Sequence, residues 1–298
     1  MAEEVLRIAP DQVKKLIKQG KIEIVSTAPV VVDDRKPETG SSFEFSQRLF
    51  GQDFFGPSEV GHTFGVKVPP ENTPQIPFSQ EQLEVAKALD QKLILRVNKA
   101  ADGQPLTMKK MGQILQPMFD QEGNGKILYN TNWYKGEGFF TKETPVFGWA
   151  LAGKEVLPST LGINYFEQTQ ALASHIKTTL FASGVFPPNY QAALDEFAAQ
   201  EANIAKLINS NKEEAAKKLA GLQINQLMRQ SAPEALYDLL MTFRGSGERE
   251  LESTYTWTNT RTSAGRLVMV GYFDAGGVGV GSTLPGRSGP RVGVCPSR

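Results

Sequence analysis

Two spacings of apolar residues run along this chain, and each marks a different kind of element. Val13, Leu16 and Ile17 form a helical stripe over 10–19, opened by Pro10-Asp11 and closed by Gly20. KIEIVSTAPVVV follows and predicts strand, turn and strand, with Ile22, Ile24 and Val25 as its first apolar positions. Residues 33–80 hold no sustained period. Pro37, Pro57, Pro69, Pro70, Pro74 and Pro77 separate Phe43, Phe45, Phe50, Phe54, Phe55 and Phe64. That many aromatics argues against simple disorder and predicts an irregular segment packed onto a larger unit.

The helical period becomes clear at Ser79. Leu83, Ala86 and Leu89 share a face, and Ser79 with Gln82 has the spacing of a capping box. Leu93 to Val97 predicts a short buried strand. Met108, Met111, Ile114 and Leu115 mark a helix over 107–119, with Pro117 near its end. The aromatic, Gly- and Thr-rich run from Gly123 to Val156 predicts strands and loops. A helix is expected over 164–181, carrying Tyr165, Thr169, Leu172, Ile176 and Leu180 on one side. Beyond Pro187-Pro188, Leu194, Phe197, Ile204 and Ile208 continue a stripe that Glu201 interrupts, with a break at Asn209-Ser210-Asn211 and more helix after it. Over 231–245, Ser231 caps, Glu234 sits three on, Leu236, Leu239, Leu240 and Phe243 form the stripe, and Gly245 is read as the stop.

The period then changes to two. YTWTNTRT and RLVMVGYF are expected to form a hairpin through Ser263-Ala264-Gly265. Val268, Val270 and Tyr272 alternate, then Val278 and Val280, then Val292 and Val294. Glycines at 281, 286 and 289 and prolines at 285 and 290 predict a loop from Gly281 to Arg291. Helices and strands do not alternate regularly, so the pattern argues for α+β rather than a doubly wound sheet.

Composition adds constraints. The 298 residues carry no formal net charge, which gives no reason to expect nucleic acid or an anionic membrane as partner. No stretch approaches the length of apolar sequence that a membrane helix needs, so no membrane insertion is expected. The start, MAEEVLRIAPDQ, is acidic and lacks the apolar core of a signal peptide. A cytoplasmic or virion-associated location is expected. The single cysteine, Cys295, forms no intrachain disulfide.

The residues also offer little chemistry. His62 and His175 are far apart and lack metal-ligand spacing. Cys295 lies between Val294 and Pro296 with no base nearby in sequence, and a small buried residue is expected. DQEGNGK (120–126) starts like a calcium loop, but its twelfth position is Thr131 rather than the required Glu, so an Asn-Gly turn is the reading. GVGVG (277–281) lacks the third glycine of a dinucleotide fingerprint. No catalytic residue, metal ligand or cofactor is expected.

The tail carries the most specific signal. Residues 270–298 contain no Lys, Glu, Gln, Met or Trp, five types found throughout the preceding chain. Its frame is Gly277-Val278, Val280, Pro285 and the closing Gly293-Val294-Cys295-Pro296-Ser297-Arg298. On these residues it resembles the variable region of target proteins of diversity-generating retroelements. There, adenine-specific mutagenesis rewrites a C-terminal cassette, mostly at AAC codons, and the reachable residues exclude those five types. No Asn follows Asn259, so the template residue itself is not visible.

The resemblance implies a C-type lectin-like fold, related to formylglycine-generating enzymes, over 88–298. It would have a helical insert, an extension over 1–87 and a variable region at about 268–298. It implies a non-catalytic recognition surface at Tyr272, Gly279, Gly281, Ser282, Thr283, Leu284, Arg287, Gly289 and Arg291, directed at an unknown protein or surface ligand. Such a mixture of aromatic, hydroxyl and guanidinium groups suits adaptable contacts. Val268, Val270, Val278, Val280, Val292 and Val294 would then face inward over Trp257. The alternatives are a structural protein with an ordinary C-terminal loop, and a catalytic relative of the same fold.

Overall fold

A computed structural model describes residues 42–298. The helix and strands read over 10–32 lie outside the described residues. The fold is α+β: ten α-helices and two mixed sheets among the described residues.

The aromatic segment that lacks a period contains real elements. Helix α1 (Ser42–Phe50), strand β1 (Phe54–Phe55) and helix α2 (Pro57–Phe64) bury Phe50, Phe54, Phe55 and Phe64 in a large core. These helices are short, so their apolar stripes never repeat enough to register as a period. Helix α3 (Gln80–Ala88) opens with the expected capping box, Gln82 N–H donating to Ser79 Oγ and Ser79 N–H to Gln82 Oε1. Strand β2 (Gln91–Arg96) is buried along its whole length. β1 runs parallel to one side of it and β3 (Gly148–Gly153) antiparallel to the other. The unit expected to begin at residue 88 therefore shares its sheet and its core with residues 42–87.

Helix α4 (Met108–Glu122) runs through Pro117 and ends on Gly123, whose φ is 70°. The calcium-like segment is thus a helix end: Asp120 and Glu122 lie in its last turn. Gly125 sits against the main chain of Ala275, where a Cβ would lie 2.0 Å from the carbonyl oxygen. Helix α5 (Gly138–Thr141) is a single turn. Helix α6 (Tyr165–His175), capped by Asn164, continues into a π-helical turn over Ile176–Leu180. Helices α7 (Pro188–Ser210) and α8 (Lys212–Gly221) break at Asn211, which caps the second by accepting from Glu214 N–H. Helix α9 (Gln223–Met228) follows. Helix α10 (Ala232–Ser246) has its capping box at Ser231 and Glu234 but stops at Gly247, with φ 76°, rather than at Gly245. Gly245 lies within the helix, and the glycine there makes room for the Phe55 ring, which a Cβ would meet at 2.8 Å.

The second sheet has the order β6 (Gly277–Thr283), β5 (Leu267–Asp274), β4 (Tyr255–Arg261), β7 (Val292–Gly293). β7 is parallel to β4 and the other pairs are antiparallel. The hairpin between β4 and β5 turns at Gly265, φ 78°. Strand β6 extends to Thr283, so the loop expected from Gly281 begins at Leu284. Ladder hydrogen bonds to β5 outweigh the glycines' preference for turns.

This sheet is a middle layer, which overturns the single inward face expected for it. Val268, Val270, Phe273 and Val278 join the core with β1–β3 and α10. Trp257, Leu267 and Val294 join a second core with α6–α9. Trp257 therefore packs on the opposite face from Val268, Val270 and Val278, and shares its face with Val294 alone of the fully buried valines it was expected to lie under. Val280 and Val292 are half-buried, one beside each core.

The closing residues stitch the two sheets together. Gly293 sits beside β4, and a Cβ on it would meet Val156 at 2.8 Å. Val294 N–H donates to Thr160 Oγ1 and Cys295 N–H to Thr256 Oγ1, each at 2.9 Å. Leu151 N–H donates to Arg298 O at 2.8 Å and Arg298 N–H returns to Leu151 O at 2.9 Å, on β3. Beneath them, Arg96 donates to both Asp238 oxygens at 3.0 and 2.5 Å and to Ser297 Oγ at 2.9 Å. Lys92 forms a buried ion pair with Glu250 and donates to Thr242 Oγ1 at 2.8 Å.

Candidate functional site

A bulge in β5 builds the most distinctive part of the tail surface. Gly271 has φ 155°, Tyr272 has φ 49°, and the pairing register shifts between Gly271 and Asp274. A Cβ at Gly271 would lie 2.2 Å from Thr254 O, which leaves only glycine at that position. Thr254 O accepts instead from Tyr272 N–H at 2.8 Å. The extra residue reverses the alternation. Val268, Val270 and Phe273 point into the core, and Tyr272, which strict alternation would place with the valines, turns outward.

Tyr272 meets Tyr255, the first residue of β4, with ring centroids 4.7 Å apart and planes at 34°. Arg291 Nη1 donates to the Tyr272 hydroxyl at 2.7 Å, and its guanidinium lies 5.9 Å from the ring centroid. Tyr255 lies across glycine. A Cβ on Gly279 would come within 2.6 Å of the Tyr255 hydroxyl. Burial, and then the neighbouring Tyr272, Asp274 and Tyr129, push the Tyr255 phenol above its ordinary pKa, so it stays a neutral donor. Along the β6 edge, Tyr129 N–H donates to Val278 O at 3.1 Å and Trp133 Nε1 to Val280 O at 3.2 Å. Tyr129 is 66% and Trp133 45% exposed.

The structure gathers Tyr272, Gly279 and Arg291 from the expected residues and spreads the rest. Gly279 is buried under Tyr255 and presents no side-chain position to solvent. Gly281 pairs with Met269, whose flexible end would have to yield to a Cβ. Ser282 pairs with Val268 and Thr283 with Leu267, so these two half-buried residues point to opposite faces. Leu284 is half-buried, and its carbonyl accepts from Arg287 N–H at 3.1 Å. The turn beyond packs against Ile208 at Gly286, and Pro285 O accepts from Tyr165 N–H. Arg287 and Arg291 are exposed. Gly289 O accepts from Gly162 N–H at 3.2 Å and Val292 N–H at 3.0 Å.

Tyr255, Tyr129 and Trp133 were not read from the sequence as site residues. Tyr255 falls at the alternate positions of Trp257 on an expected strand, and ILYNTNWY carries no sustained period, so neither stands out in the sequence. Cys295 is buried, and its thiol donates to Gly153 O at 2.9 Å. Burial pushes the thiol well above its usual range. Searched against known proteins, the chain matches no family model, no curated protein and no solved structure. No helix among the described residues is long and apolar enough to cross a membrane.

Proposed function

We propose that this protein is a non-catalytic binder whose C-terminal sheet and loop display an exchangeable recognition surface, of the kind written by a diversity-generating retroelement. The observation that carries the reading is the Tyr255–Tyr272–Arg291 group. Two half-exposed aromatic rings on β4 and β5 are held beside the exposed guanidinium of Arg291, in the turn that enters β7, an arrangement that loses little entropy on binding. Exposed Tyr129 and Trp133 extend the aromatic surface along the sheet edge.

The C-type lectin-like fold belongs to this proposal. Support comes from β1 and the closing residues lying in one sheet system with β2 and β3, with a helical excursion over 165–228 between them. Within the tail, Tyr272, Ser282, Thr283, Leu284, Arg287 and Arg291 are the exchangeable positions, and Gly281 joins them through the pliable Met269. Gly279 is fixed by Tyr255, and a Cβ on Gly289 would crowd the Val292 side chain at 3.1 Å. The partner is a protein or other surface ligand.

Sequencing the DNA around the coding region tests this directly. The expected result is a reverse-transcriptase gene and a near-copy of the tail's coding sequence, differing at adenines. Finding neither sinks the retroelement reading.

A further inference from the structure

A second site lies away from the tail surface. Pro77, Phe78, Phe147, Trp149 and Leu227 wall a pocket of about 500 Å³ that also takes in Arg96, Arg229, Glu234 and Arg298. That volume falls in the range of small-molecule sites. Val146 at 73% and Phe147 at 43% exposure put apolar surface on its rim.

The polar lining is unevenly paired. Arg96 is matched by Asp238 and by Glu234 at 3.6 Å. Glu234 is further committed to Ser231 N–H at 2.8 Å and Val146 N–H at 3.3 Å. Arg229, almost wholly buried, has only neutral partners: Asn225 Oδ1 at 2.8 Å, Gln168 Oε1 and Tyr165 O at 3.3 Å, and the Tyr165 ring at 3.8 Å. Its five N–H groups exceed those acceptors. Arg298 donates to Gln82 O at 3.3 Å and meets the Tyr190 hydroxyl, while its buried Nε has no partner. Burial lowers the pKa of both arginines, Arg229 to about 10. A buried guanidinium nitrogen without a partner, as at Arg298 Nε, is costly unless an anion joins it.

We propose that this pocket binds a small organic anion with an apolar body, such as an aromatic monocarboxylate. Its carboxylate meets the Arg298 guanidinium, whose buried Nε has no partner, in the planar fork geometry that guanidinium favours. Its ring lies between Phe78, Phe147 and Trp149. No lining residue comes from the 272–291 surface, so this site and the proposed recognition surface stand or fall separately.

The probe is 4-fluorobenzoate titrated into the full chain and followed by fluorine NMR, with neutral 4-fluorobenzamide as control. The carboxylate is expected to saturate and to bind at least about tenfold tighter than the amide. Arg298→Gln weakens it by about tenfold or more. Val146→Asp does the same by placing a negative charge at the rim, and because Val146 is exposed that variant keeps its melting temperature. No saturation up to about 10 mM, equal binding of the amide, or indifference to both substitutions overturns the assignment.

Discussion

Gly279 shows how a missing side chain can belong to a site. The Tyr255 ring occupies the space above it, so Gly279→Asn should destabilise the fold by about 2 kcal/mol or more, while Gly281→Asn, which meets the flexible Met269 side chain and no ring or backbone, should cost less. Thermal melts of the two variants check this, and equal losses would show that Tyr255 is free to move aside. His175 makes a pH prediction. Burial, helped by the charge of Arg298, lowers its pKa from 6.5 to about 4, so the folded protein holds it neutral. The unfolded chain protonates it first. Its contribution is complete above pH 6.5 and is lost as pH falls toward 4. Against His175→Gln, the native chain should lose an additional amount on the order of 2 kcal/mol across that window in denaturant melts. Parallel pH curves would contradict the shift.

At the scale of elements, β5 and β6 divide stability from display. Val278 is fully buried and Val280 only partly, so Val278→Asp should abolish folding and Val280→Asp should weaken it. Arg287→Ala is expected to stay within about 0.5 kcal/mol of the native chain, since the side chain is exposed. If the arginine variant melts as low as either aspartate variant, the separation fails. The bulge at Gly271 and Tyr272 sets where the division falls, because one extra residue turns Tyr272 to solvent and Phe273 into the core.

In the whole molecule, two charged clusters tie β2 of the first sheet to α10 and to the segment leading into β4. Lys92 and Glu250 are both nearly inaccessible. Burial raises the Glu250 pKa, and the Lys92 ammonium opposes this. Removing one partner strands the other, so Lys92→Met should cost about 3–5 kcal/mol. Pairing it with Glu250→Met should recover much of that loss. Chemical denaturation of the single and double variants closes the cycle, and a single variant within about 1 kcal/mol of native would show the pair to be dispensable.

The sequence by itself determined the elements whose signals are local. Capping boxes at Ser79 and Ser231, the stripe of α4 and the hairpin at Gly265 all follow from spacing and turn chemistry among near neighbours. Local signals fell short where a distant contact decides. The aromatics of 42–64 lie in two helices and a short strand because the first core receives them, and Gly245 is a close-packing position against Phe55 inside a helix rather than a helix stop. The tail's glycine and valine pattern marked a candidate surface, but only the tertiary structure chose its members. Tyr255 reaches Tyr272 and Gly279 through strand pairing, and Trp257 and Val268 take opposite faces because helices cover the sheet on both sides. Spacing along the chain can say that a face is apolar; what covers that face is fixed by residues far away in sequence.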